Sequence, residues 1–151
     1  MITCTPIGVV KGPVTEMSRG NWARVDSEIH IEPDYVGGLR GLEGFSHIIV
    51  VFYLHQIGSF DPRAQLLRRP RGMEQMDEVG VFAQRTKYRP NPIGVTAVEL
   101  CNISGDVLAV RGLDALDGTP VLDIKPYIPA FDRIAEPRTP AWVASVMEGY
   151  F

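Results

Sequence analysis

His47-Ile48-Ile49-Val50-Val51-Phe52-Tyr53-Leu54-His55 is the stretch on which the fold turns. It is β-branched and aromatic, and apolar on both faces, so it reads as the central strand of a sheet. Its apolar run, Ile48 to Leu54, is far shorter than the ~20 residues of a membrane helix. Upstream, Glu28-Ile29-His30-Ile31-Glu32 alternates with period two, the pattern of a half-buried strand, and Pro33 ends it. Ile2 to Val10 is a further apolar segment, in which Pro6 predicts an edge or bent strand. Gly12 to Asp26 is polar and rich in turn residues. Gly37 to Gly44 is glycine-rich without the G-x-G-x-x-G spacing, so it predicts a turn with a short helical piece rather than a phosphate loop.

Downstream, Asp61 to Met76 reads as a long loop and Val79 to Ala83 as a short strand. Ile93 to Cys101 and Asp106 to Arg111 predict a hairpin turning through Asn102-Ile103-Ser104-Gly105. After the turn Asp117-Gly118-Thr119-Pro120 comes a last strand, Val121 to Ile124. One helix is expected at the end, with Thr139 as cap, Pro140 in the first turn, an apolar stripe of Val143, Val146 and Met147, and Gly149 as the stop. Six or seven short strands with little helix predict a mainly β chain. The expected architecture is one mostly antiparallel β-barrel with a C-terminal helix, residues 1–151 forming a single domain.

Composition agrees with that reading. The chain has 151 residues, 45% hydrophobic and 22% charged, which suits one core. Its 15 glycines and 12 prolines favour many tight turns over a helical bundle. Cys4 and Cys101 are the only cysteines, which excludes a disulfide scaffold and predicts two buried thiols in a reducing compartment. No basic residue precedes Lys11, so no signal peptide is expected, and the chain reads as cytoplasmic and soluble. The net charge of −3 argues against a generic nucleic-acid coat. Yet between Arg63 and Arg89 the basic residues Arg63, Arg68, Arg69, Arg71, Arg85, Lys87 and Arg89 face only Glu74, Asp77 and Glu78. That is either one locus for an anionic ligand or an ordinary solvated loop.

A metal site is not expected. His47 and His55 at the two ends of one strand would lie roughly 26 Å apart at ~3.3 Å per residue. No G-x-S-x-G elbow supports a nucleophilic serine, and neither cysteine sits in an activating motif. Gln84-Arg85-Thr86-Lys87-Tyr88-Arg89-Pro90-Asn91-Pro92-Ile93-Gly94 is more informative. If it is extended, Arg85, Lys87 and Arg89 project to one side of a backbone stiffened by two prolines, an arrangement suited to a carboxylate or phosphate. A plain cationic turn is the alternative. In Leu113-Asp114-Ala115-Leu116-Asp117-Gly118-Thr119-Pro120-Val121-Leu122-Asp123-Ile124-Lys125-Pro126-Tyr127, Asp117 reads as a turn residue. Asp123 lies in an apolar strand and would need a partner, which an arginine of the cationic stretch could supply.

These two blocks, with Pro6-Ile7-Gly8-Val9-Val10, Gly41 to His47 and His55-Gln56, strongly resemble the TsaA-like family, also called the TrmO or YaeB family. The resemblance covers roughly residues 5 to 135. It implies an S-adenosylmethionine-dependent methyltransferase built on a β-barrel, a homodimer that methylates threonylcarbamoyl-adenosine beside the anticodon of certain tRNAs. Carried over by position, it implies cofactor contacts at His55, Gln56, Arg85, Val95, Asp114, Ala115, Leu116 and Asp117. Substrate phosphates would fall to the cationic stretch, with Lys87, Arg89 and Asn91 as candidates. Tyr127, Asp123 and Lys125 are the candidates for a general base. The family's other contact loop corresponds to Thr15–Asp26 (TEMSRGNWARVD), which is shorter here, and no contact is carried over to it. The ending PAWVASVMEGYF resembles a short-form subgroup lacking a C-terminal extension. Alternative readings are a module that binds the cofactor or an anionic nucleotide without transfer, and a methyltransferase acting on a small metabolite.

Overall fold

The computed structural model describes residues 2–17 and 20–151; Ser18 and Arg19, inside the Thr15–Asp26 loop, lie outside the described residues, as does Met1. Six strands close an antiparallel barrel. They are β1 (Gly8–Lys11), β2 (Asp26–Ile31), β3 (His47–Tyr53), β6 (Ile93–Ser104), β7 (Val107–Arg111) and β8 (Pro120–Pro126), in the circular order β1-β2-β7-β6-β3-β8. β4 (Leu67–Arg68) and β5 (Val79–Gly80) form a separate small ribbon inside the long β3–β6 connection.

β3 is central in hydrogen-bonding terms, paired to β6 on one side and β8 on the other. Only one of its faces is interior: Ile48, Val50 and Phe52 are buried, whereas Tyr53 is 40% exposed. They meet Val10, Ile29, Ile31, Val98, Leu108, Val110, Leu113 and Val121 in the core. Ile49 and Val51 point outward, aligned with Ala97 and Val95 of β6. The run is apolar on both faces because one lines the barrel and the other forms an apolar outer surface.

Several expected boundaries shift. β1 begins only at Gly8, just beyond Pro6. The β6–β7 hairpin is tighter than expected: Ser104 pairs with Val107 and the turn is Gly105-Asp106. Val79–Gly80 pairs with Leu67–Arg68, but the chain then coils into a 3-10 turn at Val81–Ala83. The Asp61–Met76 stretch holds a short helix, α1 (Pro62–Gln65), whose first turn is capped by the Asp61 carboxylate accepting the Arg63 N–H at 2.9 Å. α2 (Pro129–Asp132) follows β8, and α3 is Trp142–Met147. Thr139 does not cap α3: the flanking residue is Ala141, with no side-chain cap. Gly149, at φ 66°, does turn the chain out.

Both cysteines are exposed, correcting the expectation of buried thiols. Cys101 falls at the irregularity between Leu100 and Asn102, where β6 slips register against β7. The Cys101 thiol is pushed up from its usual pKa by partial burial and by Glu99, so it is not an activated nucleophile.

Because every neighbouring pair is antiparallel, the loops sort to two ends. Residues 12–25, 54–92 and 112–119 leave from one end. Residues 32–46, the 105–106 turn and the chain after 126 leave from the other.

Candidate functional site

Three loops converge on the first of these ends, and the side chains there build a polar cluster on β6. The Arg85 guanidinium donates from Nη2 to the Val95 carbonyl at 2.6 Å. One residue on, the Thr96 hydroxyl donates to Oδ1 of Asp114. The cationic loop and the aspartate loop are thus tied to consecutive residues of one strand. His55, just past β3, meets the same aspartate loop: its Nδ1 lies 3.4 Å from the Thr119 hydroxyl. Gly118 at φ 78° makes the turn between them, and His55 Nε2 lies 3.9 Å from where a Cβ on Gly118 would stand. Gln56 is exposed beside His55.

Within residues 114–117 the roles divide. Ala115 is a core residue, 4% exposed. Asp117 is a fastener: its Oδ1 accepts the Gly12 N–H at 3.1 Å, and its own N–H donates to Val14 at 2.7 Å, locking the 12–25 loop to the 112–119 loop. Asp114 presents the carboxylate. The N–H groups of Gly118 and Thr119 go to Val10 and Leu116.

The 84–92 segment is not an extended rail. It turns at Gln84–Arg85 and bends on, since Pro90 and Pro92 have no N–H with which to pair. Its cations diverge. Arg89 donates from Nη1 to the carbonyls of Gln84 at 2.6 Å and Val81 at 3.0 Å, bracing its own loop. Gln84 likewise pins the β4–β5 ribbon through Arg68 and Val79. Lys87 reaches the Met17 sulfur and lies 5.2 Å from the Tyr88 ring centre, while Arg68 stacks on that ring at 4.0 Å. Asn91 is exposed, its carbonyl accepting from the Ile93 N–H at 2.8 Å.

None of the three base candidates bonds to a residue of this cluster. Asp123 is only half-buried, and its partner is Lys125 at 2.7 Å rather than an arginine of the cationic loop. Residues two apart on a strand share a face, and both point outward from β8. Tyr127 is at the far end of the barrel, its N–H donating to the His47 carbonyl at 3.1 Å and its ring against that histidine. A cavity of about 410 Å³ opens at that far end between Ile7, Ile31, Tyr35, Arg40, Phe45 and Pro126. It shares no residue with the convergent cluster, which is identified by its charges rather than by its concavity. Among the described residues no three His, Cys, Asp or Glu side chains are grouped so as to hold a metal ion. Nor is any helix long and apolar enough to cross a membrane.

Sequence reading missed three members of the cluster. Tyr150 donates its hydroxyl to Oδ2 of Asp114 at 2.5 Å. Thr96 holds the other oxygen of that carboxylate. Arg71 donates to the Val146 carbonyl at 2.6 Å and lies 5.4 Å from the Tyr150 ring centre. Burial pushes the Tyr150 phenol well above its usual pKa; the charge and hydrogen bond of Asp114 add to this, and Arg71 and Arg85 oppose it. Tyr150 is a long-range contact in sequence, and only Gly149 beside it carried a local signal.

A family model described as the tRNA-methyltransferase O N-terminal domain matches residues 17–133. A protein of Methanothermobacter thermautotrophicus named "Probable S-adenosyl-L-methionine-binding protein" is 44% identical over 137 residues, covering 88% of this chain and 95% of that protein. The tRNA (adenine(37)-N6)-methyltransferase of Escherichia coli strain K12 is 38% identical over 143 residues, 86% of this chain but 59% of that enzyme. A crystal structure of TrmO matches with a TM-score of 0.74 at 34% identity, over 92% of this chain and 63% of that one. The chain thus spans about three-fifths of the two longer relatives.

Proposed function

The chain belongs to the tRNA-methyltransferase O N-terminal domain family, and on that premise we propose that it is an S-adenosylmethionine-dependent methyltransferase acting on threonylcarbamoyl-adenosine beside the anticodon of tRNA. The observation that carries the reading is the convergence of Arg85 and Asp114 on Val95 and Thr96, with His55 alongside. The donor set fits the cofactor. The remaining guanidinium N–H groups of Arg85 suit its carboxylate, and the Asp114 carboxylate suits its ribose hydroxyls. The main chain of 114–116 suits its adenine, and Val95 enters through its carbonyl, which holds Arg85. His55, Gln56 and Asp117 complete the wall, Asp117 by holding two loops together.

When bound, the cofactor supplies an electrophilic methyl group on a sulfonium. The protein's part is to hold acceptor and methyl in line and keep the site dry. Lys87 and Asn91, with the exposed Arg63 and Arg69, would meet substrate phosphates, while Arg89 keeps the loop in shape. Binding of tRNA should then weaken steeply with salt. We assign no general base: Tyr127 lies at the far end of the barrel, and Asp123 and Lys125 pair with each other on its outer wall.

The outer face of β3 and β6 supports a homodimer. Tyr53, Ile93 and Val95 are 40%, 39% and 42% exposed there, with Ala97 in the same row. An apolar sheet face of this kind is what a second copy would cover. Acting on tRNA, a single 1–151 domain of this kind would work in the cytoplasm.

Calorimetry with S-adenosylmethionine, followed by tritium-methyl transfer to tRNA lacking the modification, tests the reading. Saturable binding with transfer is expected; absence of binding defeats it. The archaeal relative's name, which speaks only of binding, favours a second reading in which the cofactor is held without transfer. Binding with no transfer to any tRNA would select that one.

A further inference from the structure

We propose that Tyr150 is a positioning residue of the cofactor site, orienting the Asp114 carboxylate that receives the ribose hydroxyls. This rests on the cofactor reading above. A carboxylate on a loop is free to rotate unless both oxygens are held. Here Oδ1 is held by Thr96 from β6 and Oδ2 by Tyr150 at 2.5 Å. The two donors come from elements far apart in sequence and fix the plane of the carboxylate between them. Each oxygen keeps a lone pair for a ligand hydroxyl. Preorganisation of this kind is what gives a binding group its affinity.

The delivery of Tyr150 is built into the fold rather than incidental. The Asn21 N–H donates to the Gly149 carbonyl at 2.8 Å and the Trp22 N–H to the Tyr150 carbonyl at 2.9 Å. Trp22 itself is 4% exposed, so this docking strip is anchored in the interior. A Cβ at Gly20 would stand 2.1 Å from the Gly149 carbonyl oxygen, so only glycine at 20 permits the approach. Arg71 clamps the same segment through the Val146 carbonyl and sits over the phenol ring. Residues 142–151 therefore join all three loops of the site end: 12–25 through Asn21 and Trp22, 54–92 through Arg71, and 112–119 through Asp114. The raised phenol pKa keeps Tyr150 a protonated donor across the working pH range.

The test is calorimetry of S-adenosylhomocysteine and its 2′,3′-dideoxyribose analogue on wild type, Tyr150→Phe and Gly20→Ala. Tyr150→Phe should weaken the natural compound about tenfold, the scale seen when a partner that orients a ligating group is removed. It should leave the affinity of the dideoxy analogue unchanged, and in the transfer assay it should raise the cofactor KM while sparing kcat. Gly20→Ala, which undocks the segment and leaves the phenol intact, should reproduce the pattern and keeps the test open if Tyr150→Phe folds poorly. Equal losses for both compounds would mean a merely structural residue and overturn the proposal. Unchanged affinity in Tyr150→Phe, with Asp114→Ala abolishing binding, would also overturn it while leaving the cofactor reading intact. A wild-type protein that binds neither compound would remove both.

Discussion

Alanine at Gly94 would set β6 against the core at the point where the strand begins to build the site. Gly94 lies opposite Phe52 in the β3–β6 ladder, and Phe52 is 2% exposed. A Cβ on residue 94 would stand 2.3 Å from Cε2 and from Cζ of that ring, and 2.9 Å from Cδ2. Carbon atoms at rest are ~3.5–4.0 Å apart, so the ring or the strand must retreat by more than an ångström. Gly94 has no left-handed φ, so its backbone accepts alanine and the whole penalty is the collision. Overpacking of this kind costs ~1–3 kcal/mol, partly offset by the ~0.4–1 kcal/mol that alanine recovers from the unfolded chain. A net loss of about 1–2 kcal/mol should lower the melting midpoint by about 2–8 °C at this chain length. Phe52→Leu removes Cε2 and Cζ, the two atoms in the worst collision, so the same alanine should cost much less in that background. Scanning calorimetry of the four proteins of the cycle measures the coupling. Cofactor affinity should fall with Gly94→Ala and recover in the double variant, because Val95 and Thr96 ride on the displaced strand. An unchanged midpoint in Gly94→Ala, or an equal drop in both backgrounds, would refute the packing argument.

Arg85→Ala should lower S-adenosylmethionine affinity roughly 10- to 100-fold, the worth of a hydrogen bond to a charged group, with little change in melting because Arg85 is exposed. Calorimetry and a thermal melt on one sample check both halves. For pH dependence, the folded-state phenol pKa of Tyr150 is raised above its unfolded value. Its contribution to stability is therefore complete below about pH 10 and is lost as pH rises beyond that. Melting midpoints between pH 8 and 11 should decline more steeply in wild type than in Tyr150→Phe, and parallel curves would contradict this. Ala97→Arg places a charge on the apolar outer face and should yield a monomer in sedimentation, still cooperatively folded, with the melting midpoint lower by what association contributed.

The barrel was legible where periodicity and turn chemistry agreed. His47–His55 could be read as the central strand because β-branched and aromatic residues filled it, and the Asp117-Gly118 turn announced itself by residue type. Residues 84–92 were harder, because two prolines are compatible with either an extended rail or a bent loop. What decided it was Arg89 reaching its own loop's carbonyls, a contact with no local signature. Cys101 was misplaced because thiols usually bury, whereas this one falls at a register slip visible only once β6 and β7 are paired. Asp123 drew its partner from two positions along its own strand, so the expected arginine was not needed. Tyr150 could not be found at all from local pattern, since its function depends on the chain after β8 travelling back to the other end of the barrel.

Closure of the six-strand cylinder limits how the molecule can meet others. Each barrel strand has a paired neighbour on both sides, so among the described residues the open-edged sheet is the β4–β5 ribbon, whose two-residue strands are a short template for strand addition. A partner that covers the curved wall meets it side chain to side chain, and that contact can be retuned by point substitution without disturbing a rung of the ladder.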